Sequence, residues 1–233
     1  MIMMAEAALY DLLSWMSPAW PIGSFAHSGG LEWVVEAGQV SDRPAIEAWI
    51  ADLLEHGALW SDAVIFVHAH RAASLQDRDR LIAIAELATA TLTSHERRLE
   101  ATAQGAAFRR IARSTADRPV LALLVAIDDE DLPYPLVAAC LMAGHAIPLR
   151  SALTAFLHGA VANLVSAAQR LIPLGQTDGQ LAMRALRMPL FNAVSRAESL
   201  PDGDPFEAMG NACLLAEMAC MSHETQYTRL FRT

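Results

Sequence analysis

Apolar residues recur with the helical period along almost the whole chain, and this pattern limits the possible folds more than any other feature. Residues that recur every three or four positions line one face of an α-helix, whereas a half-buried strand alternates apolar and polar positions. No stretch alternates convincingly, and no flexible linker or charge block divides the 233 residues. The sequence therefore predicts a single all-α domain over residues 1–233, with about ten helices.

The most apolar stretch, residues 132–172, predicts a central pair of helices. Within it, residues 151–169 carry no charge and are long enough to span a bilayer. Polar residues among them and a single apolar stripe instead favour a buried helix of a water-soluble protein. The face expected to be buried consists of Leu153, Leu157, Ala160, Val161 and Leu164. The predicted helices lie near residues 3–16, 29–37, 43–72, 77–92, 94–114, 119–127, 133–146, 149–171, 178–197 and 205–222.

Charge and composition exclude several classes of protein. The net charge of -9 argues against nucleic acid as the main partner. All 17 basic residues are arginine, so the chain contains neither a phosphate-loop lysine nor a Schiff-base lysine. The three cysteines, Cys140, Cys213 and Cys220, form no disulfide framework, and residues 1–9 lack the cationic start of a secretory signal. We therefore expect a cytoplasmic protein.

Two polar, aromatic segments interrupt the helical pattern. The first, residues 17–32, concentrates proline and glycine, which fix the backbone at some positions and allow positive φ at others. Its Gly29-Gly30 pair has two interpretations: an anion site at a helix N-terminus, or a tight turn that lets Phe25 pack. We call this segment the loop.

The second segment, residues 223–233, combines aromatic and aliphatic anchors with arginines, the residue types enriched at interface hot spots. We call it the tail. These residue types indicate a tail that binds a partner, and the alternative is a tail that packs on its own domain. Both interpretations hold if the tail docks on the domain and only its arginines remain available to a partner. A polar segment of this length buries little apolar surface, so we expect it to be disordered or loosely docked in the isolated protein.

Catalytic interpretations of the loop are weak. Ser24 or Ser28 with His27 would be the nucleophile and base of a hydrolase, but neighbours in a glycine-rich turn rarely adopt that geometry, and no G-x-S-x-G motif is present. Elsewhere, His95, Glu96 and Glu100 could act together as an acid–base group, but residues 93–96 (Thr-Ser-His-Glu) match a helix capping box, which accounts for Glu96.

His68 and His70 form a possible metal pair with Asp62. Residues two apart on a helix point to nearly opposite sides, so a solvated helix surface is the favoured interpretation. The sequence predicts no metal site and no cofactor.

Four stretches resemble the UreF family of urease accessory proteins, and they occur in the family's order. A match to any one of these stretches alone is weak evidence for the family, whereas four matches in the same order are specific to it. The chain departs from the family pattern at His27, where a tyrosine is frequent, and at Thr233, where a serine is frequent. The stretches are SPAWPIGSFAHSGGLE (17–32), AQGAAF (103–108), RLIPLGQ (170–176) and HETQYTRLFR (223–232).

The resemblance implies an all-helical, typically dimeric, non-enzymatic scaffold for assembling the nickel centre of urease. It implies a bridge between a UreD/UreH-type accessory protein and the GTPase UreG, in a complex that docks on apo-urease. It also implies that the loop and the tail lie together and that the UreD-type partner orders the tail. The partner-binding residues it implies are Pro21, Gly23, Phe25, Ser28, Leu31 and Glu32 in the loop and Glu224, Tyr227, Arg229, Leu230, Phe231 and Arg232 in the tail.

Two alternatives of other classes stay open. A GTPase-activating regulator would supply Arg229 or Arg232 to UreG in trans. A small metal-dependent enzyme would use Asp62, His68 and His70.

Overall fold

A computed structural model describes residues 2–115, 132–210 and 213–233 of the chain. Within these ranges the chain forms twelve α-helices and one 3-10 turn (Ser24–Ala26), with no β-strand. The all-α prediction is confirmed, and the helix expected near 119–127 lies outside the described residues. The helices are α1 (Ile2–Trp15), α2 (Leu31–Glu36), α3 (Arg43–His56), α4 (Ala58–Ser74), α5 (Arg78–Ala90), α6 (His95–Thr115), α7 (Tyr134–Gly144), α8 (Leu149–Leu171), α9 (Gln176–Ala185), α10 (Arg187–Glu198), α11 (Pro205–Ala208) and α12 (Leu214–His223).

Three of the predicted helices are each divided into two. The helix expected at 43–72 breaks at Gly57, whose backbone is extended. A Cβ there would lie 3.0 Å from the Leu53 Cα and 3.1 Å from the Cys213 Sγ. The segment that contains Cys213 therefore lies close against the main chain at this break. The helix expected at 178–197 breaks at Leu186, and the one expected at 205–222 separates into α11 and α12.

Side-chain caps mark several helix starts. Asp42 accepts a hydrogen bond from the Ala45 N–H at 2.9 Å and caps α3, as its position before a proline predicts. At α6 the predicted capping box is displaced by one residue. Ser94 accepts from the Arg97 N–H at 3.1 Å, so Glu96 is left free for another contact.

The core is centred on α4 and α7, which share the largest interface in the described chain. Every residue from Pro135 to Ala143 is buried, and α8 packs against both helices. The predicted central pair, α7 and α8, is therefore buried, with α4 as a third member. Along α8 the expected face is buried except for Ala160, which is half-buried. By length and composition α8 is apolar enough to cross a membrane, and half of its apolar window is buried inside the fold.

A chain of aromatic rings connects this core to the loop. Phe66 lies 5.0 Å from Phe156, which lies 5.3 Å from Tyr134, as measured between ring centroids. Tyr134 contacts Phe108 at 5.4 Å, and Phe108 contacts Trp20 at 5.9 Å. Aromatic pairs at these separations are favourable beyond their buried area. The loop is thus held on the rigid centre of the molecule.

Candidate functional site

The loop turns at three glycines with positive φ, Gly23, Gly29 and Gly30. Gly23 has a φ of 77° and Gly30 a φ of 81°, in the left-handed region that other residues rarely adopt. A Cβ on Gly30 would lie 2.9 Å from the main-chain nitrogen of Cys220 and 3.1 Å from the Ala219 Cβ. The absence of a side chain at Gly30 therefore lets the start of α2 contact α12, the helix that leads into the tail.

The tail lies across the loop and pairs with it through main-chain atoms. The Ser28 N–H donates to the Thr233 carbonyl at 2.6 Å, and the Arg232 N–H donates to the Ala26 carbonyl at 2.8 Å. His27 is buried, and its Nδ1 lies 2.6 Å from the Thr233 Oγ1. The expectation of a loosely docked tail is wrong for this structure. Main-chain hydrogen bonds, which the sequence pattern does not reveal, hold the tail in place.

Glu32 is the residue that joins the loop to the tail. Its buried carboxylate accepts hydrogen bonds from the main-chain N–H groups of Leu230 at 2.6 Å and Phe231 at 2.9 Å. The same carboxylate lies 3.1 Å from the Nε2 of His223. Buried carboxylates are stable only when they are hydrogen-bonded or paired, and Glu32 has three such partners.

His223 is fully buried between two carboxylates. Its Nδ1 lies 2.8 Å from both oxygens of Glu96, opposite its contact with Glu32. An imidazolium between two carboxylates, or a neutral ring beside one carboxylic acid, fills both hydrogen bonds. Both arrangements leave one net negative charge, which the Arg229 guanidinium, 3.4 Å from Glu96, balances.

The pKa of Glu96 reflects this environment. Burial raises it, whereas the hydrogen bond from His223 and the charge of Arg229 lower it, and the net result is a pKa above the ordinary value. Glu224 closes the same cluster from outside, because its Oε1 accepts the His95 N–H at 3.1 Å at the start of α6. The cluster thus ties α2, α6, α12 and the tail together.

The twelve predicted site residues fall into two groups. The loop and the tail are in contact, and the buried members hold them together: Ser28, Leu31, Glu32 and Phe231. Gly23 is half-buried. The exposed members point outward: Pro21, Phe25, Glu224, Tyr227, Arg229, Leu230 and Arg232.

The exposed side is amphipathic. Phe25 is 70% exposed, Leu230 is 63% exposed, and the Tyr227 side chain makes almost no contact within the described chain. Arg170 of α8 lies at the edge of this surface, with its guanidinium carbon 4.2 Å from the Phe231 ring centroid and its Nη1 donating to the Phe25 carbonyl at 2.7 Å. We call the surface formed by Phe25, Tyr227, Arg229, Leu230 and Arg232 the rim.

Sequence reasoning missed several residues of this site. Glu96, Arg170 and Asn163, which donates to the His27 carbonyl at 3.2 Å, come from helices far away in sequence. Glu96 belongs to the predicted capping box and Arg170 begins a stretch that resembles the family, but neither pattern indicates a contact with the loop or the tail. His27 and His223 lie inside the two conspicuous segments, and that position was the available signal.

The hydrolase and anion-site interpretations do not fit the loop. His27 contacts Thr233 rather than a serine, and the Ser28 Oγ accepts the Glu32 N–H at 3.4 Å. The Ser28 N–H is already occupied by the tail, and Glu32 brings a negative charge to the first turn of α2. Gly29 and Gly30 therefore form a tight turn, although Phe25 points outward instead of packing beneath it.

The possible metal trio is also dispersed. His68 and His70 are buried, so the expectation of a solvated helix surface is wrong. Arg80 lies 3.3 Å from the His68 Nδ1, the His70 Nε2 donates to the Ile147 carbonyl at 2.9 Å, and Asp62 pairs with Arg97. Among the residues described, no three His, Cys, Asp or Glu side chains are placed to hold a metal ion.

Comparisons with known proteins cover nearly the whole chain. The UreF family model matches residues 40–187. A urease accessory protein UreF from Rhodopseudomonas palustris (strain BisB5) is 46% identical over 228 residues, which are 98% of this chain and 92% of the relative. Another from Bradyrhizobium sp. (strain ORS 278) is 47% identical over 229 residues, which are 97% of this chain and 92% of the relative.

Together with the all-α fold, these matches define the class as an accessory protein of urease, which is not itself an enzyme. The chain belongs to the UreF family.

Proposed function

We propose that this chain is a non-enzymatic scaffold for assembly of the urease nickel centre. In this proposal it bridges a UreD/UreH-type accessory protein and the GTPase UreG, and the complex docks on apo-urease. Family membership supports the general role in urease maturation. The observation that carries the specific role is the rim, which the Glu32 contacts to the tail hold in a fixed position.

The rim has the composition of a protein-binding surface. Aromatic and arginine side chains supply most of the binding energy at interfaces, and apolar side chains exposed together mark such surfaces. Tyr227 has no structural role in the described chain, so its exposed ring is available to a partner. Arg229 is partly engaged by Glu96, yet its side chain keeps 41% of its surface exposed.

Co-purification with UreG and the UreD-type partner tests the proposal. Tyr227→Ala and Arg229→Ala should each weaken recruitment of UreG, since a hot-spot residue carries about 2 kcal/mol or more, on the order of thirtyfold in affinity. Phe206→Ala is the matched control, because Phe206 is a 62% exposed aromatic residue on α11, outside the rim. Full recruitment and urease activation with both rim variants would exclude the rim as the recruiting surface.

A regulatory role is the second candidate, and the exposure of Arg232 favours it. Its main chain is fixed by the Ala26 carbonyl while its side chain is free to reach a bound GTPase. An arginine supplied in trans accelerates GTP hydrolysis by about a thousandfold or more. Single-turnover GTP hydrolysis by UreG with the wild-type chain and with Arg232→Ala distinguishes stimulation from simple recruitment.

We further propose that the assembly is cytoplasmic and contains two copies of this chain. In the part of the chain that the structure describes, the cysteines are thiols and form no disulfide, which agrees with a reducing compartment. Analytical ultracentrifugation of the purified complex gives the number of copies.

A further inference from the structure

A large cavity lies beside the loop, and none of its lining residues belongs to the tail. Its volume is about 340 Å³, within the range of pockets that hold small ligands or single side chains. Its walls are mainly aromatic and aliphatic, with contributions from α1, the loop, α7 and α8. They include Trp15, Met16, Ile22, Tyr134, Phe156 and Leu164.

The floor of the cavity is charged. The Arg97 Nη2 lies 3.4 Å from the Asp62 Oδ2, and the Arg97 Nη1 lies 3.1 Å from the Glu100 Oε2. Gln104 donates to the other oxygen of Glu100 at 3.3 Å. The side chains of Asp62, Arg97 and Glu100 are only 14–20% exposed, so these charges are largely removed from bulk water.

Negative charge exceeds positive charge on this floor. Two carboxylates share a single guanidinium, and Glu217 also lines the cavity. Burial raises the pKa of Asp62, which Arg97 lowers only in part. Burial lowers the pKa of Arg97, but the charges of Asp62 and Glu100 outweigh burial and raise it. The raised pKa of Arg97 is the shift expected beside two carboxylates, whereas the raised pKa of Asp62 is mainly an effect of burial.

The cavity therefore selects a ligand by charge and by shape. An anion would be repelled by the floor, and a neutral apolar molecule would displace water from the carboxylates without replacing its hydrogen bonds. Among the described residues no three metal-binding side chains converge here, so the floor does not form a metal shell. A cation on an apolar stem satisfies both parts of the cavity, and the aromatic walls also favour a cation.

We propose that this cavity binds an organic cation, an ammonium or guanidinium group carried on an aromatic or aliphatic stem. The cation contacts Glu100 and Asp62, and the stem packs between α1, α7 and α8. Such a group comes either from a free amine or from a lysine or arginine side chain of a partner protein. The cavity shares Phe25 with the rim, whereas Asp62 and Glu100 lie outside the rim, so the inference rests on charges that the rim does not contain.

Isothermal titration calorimetry of the full chain with three matched probes tests the charge selection. The probes are 4-phenylbutylamine, 4-phenylbutanol and 4-phenylbutyrate, which share one stem and differ in charge. The amine should bind one to one and at least about tenfold more tightly than the other two. Equal affinity for amine and alcohol, or no binding of the amine, overturns the proposal.

Two variants locate the binding. Glu100→Gln keeps the shape and one acceptor oxygen but removes the charge, and it should weaken the amine about tenfold while leaving the alcohol unchanged. Gly159→Phe should abolish binding of all probes, because Gly159 lines the cavity and a Cβ there meets only the Met16 sulfur, at 3.8 Å. Glu36→Gln, an exposed carboxylate outside the cavity, is the charge control. Unchanged amine affinity in Glu100→Gln overturns the assignment.

The source of the cation is decided by a fourth probe, the capped dipeptide acetyl-Phe-Arg-amide. Tighter binding of the dipeptide than of 4-phenylbutylamine supports a partner's side chain, whereas tighter binding of the amine supports a free small molecule. Circular dichroism of each variant shows that the helical fold is intact, so a loss of binding reports on the cavity itself.

Discussion

The carboxylate of Glu32 lies 2.6 Å from the main-chain nitrogen of Leu230, although 198 residues separate them in sequence. The contact fixes the main chain of the tail while leaving the Leu230 side chain exposed. A buried acceptor that positions a segment through its backbone puts little constraint on that segment's side chains. The rim is therefore open to change in sequence without loss of its position.

Glu32→Gln should release the tail. Glutamine keeps one acceptor oxygen but turns an NH₂ group toward main-chain donors or toward His223, so we expect a loss of about 1–3 kcal/mol and faster hydrogen exchange at Leu230 and Phe231. Glu36→Gln is the control, since Glu36 is on the same helix, is exposed, and contacts Gln226 only at the tail's edge. Unchanged exchange at Leu230 in Glu32→Gln would contradict the role of this carboxylate.

Gly30→Ala should destabilise the protein more than Gly23→Ala. The two glycines have nearly the same positive φ, so both substitutions incur a backbone strain of about 1 kcal/mol. At Gly30 the new methyl group also meets Cys220, whereas nothing lies within 4 Å at Gly23. Crowding adds about 1–3 kcal/mol, measurable by urea denaturation. An equal loss of unfolding free energy in the two variants would show that α12 moves away from the new methyl group without cost.

Leu157→Ala should cost about 2–5 kcal/mol, because Leu157 is fully buried at the centre of α8 and its removal leaves a cavity. Leu75→Ala removes the same atoms from a side chain that is 69% exposed, and it should cost less than about half a kcal/mol. Denaturant midpoints of the two variants give the comparison, and similar midpoints would argue against a central α8.

Acid should weaken the fold through its buried histidines. Burial lowers the pKa of His68 and His70 below the ordinary value of 6.5. As the pH falls below 6.5, these histidines take up protons in the unfolded chain before they do so in the folded chain. The free energy of unfolding is therefore highest above pH 6.5 and decreases below it, until the pH reaches the pKa of the histidines in the folded chain. The raised pKa values of Asp62 and Glu96 act in the opposite direction at lower pH.

A variant isolates one of these histidines. His70→Gln keeps a donor for the Ile147 carbonyl but does not titrate, so its cost relative to wild type should shrink between pH 7.5 and 5.5. The difference in unfolding free energy between wild type and variant changes by at most about 1.4 kcal/mol per pH unit. Unfolding free energies at the two pH values measure it, and a cost that grows as the pH falls would refute the assigned direction.

Periodicity and caps predict most helices of this fold, because both are local. Asp42 before Pro44 marks the start of α3, and a long apolar stripe marks α8. The breaks are less visible. A single glycine such as Gly57 is tolerated inside a helix pattern. The change of direction at Leu186 is marked by Pro189, which has no N–H to bond the Ala185 carbonyl, although the Leu186 backbone itself stays near helical values.

The site was predictable only in part. The loop and the tail are conspicuous as segments, and the resemblance implies that they lie together. The buried cluster that joins them depends on Glu96, which the sequence pattern assigned to a cap. An acid's partner in the folded chain is set by helix packing, and a one-residue displacement of the cap at Ser94 was enough to free Glu96 for His223.

The separation between Glu32 and His223, 191 residues along the chain, has a consequence for protein synthesis. At about 5–20 residues per second, a ribosome needs roughly ten to forty seconds to add the histidine after the glutamate. Throughout that interval the emerging helices can pack, but the rim does not exist. A partner that recognises the rim therefore binds only chains in which residues 223–232 have been synthesised and have docked on the loop.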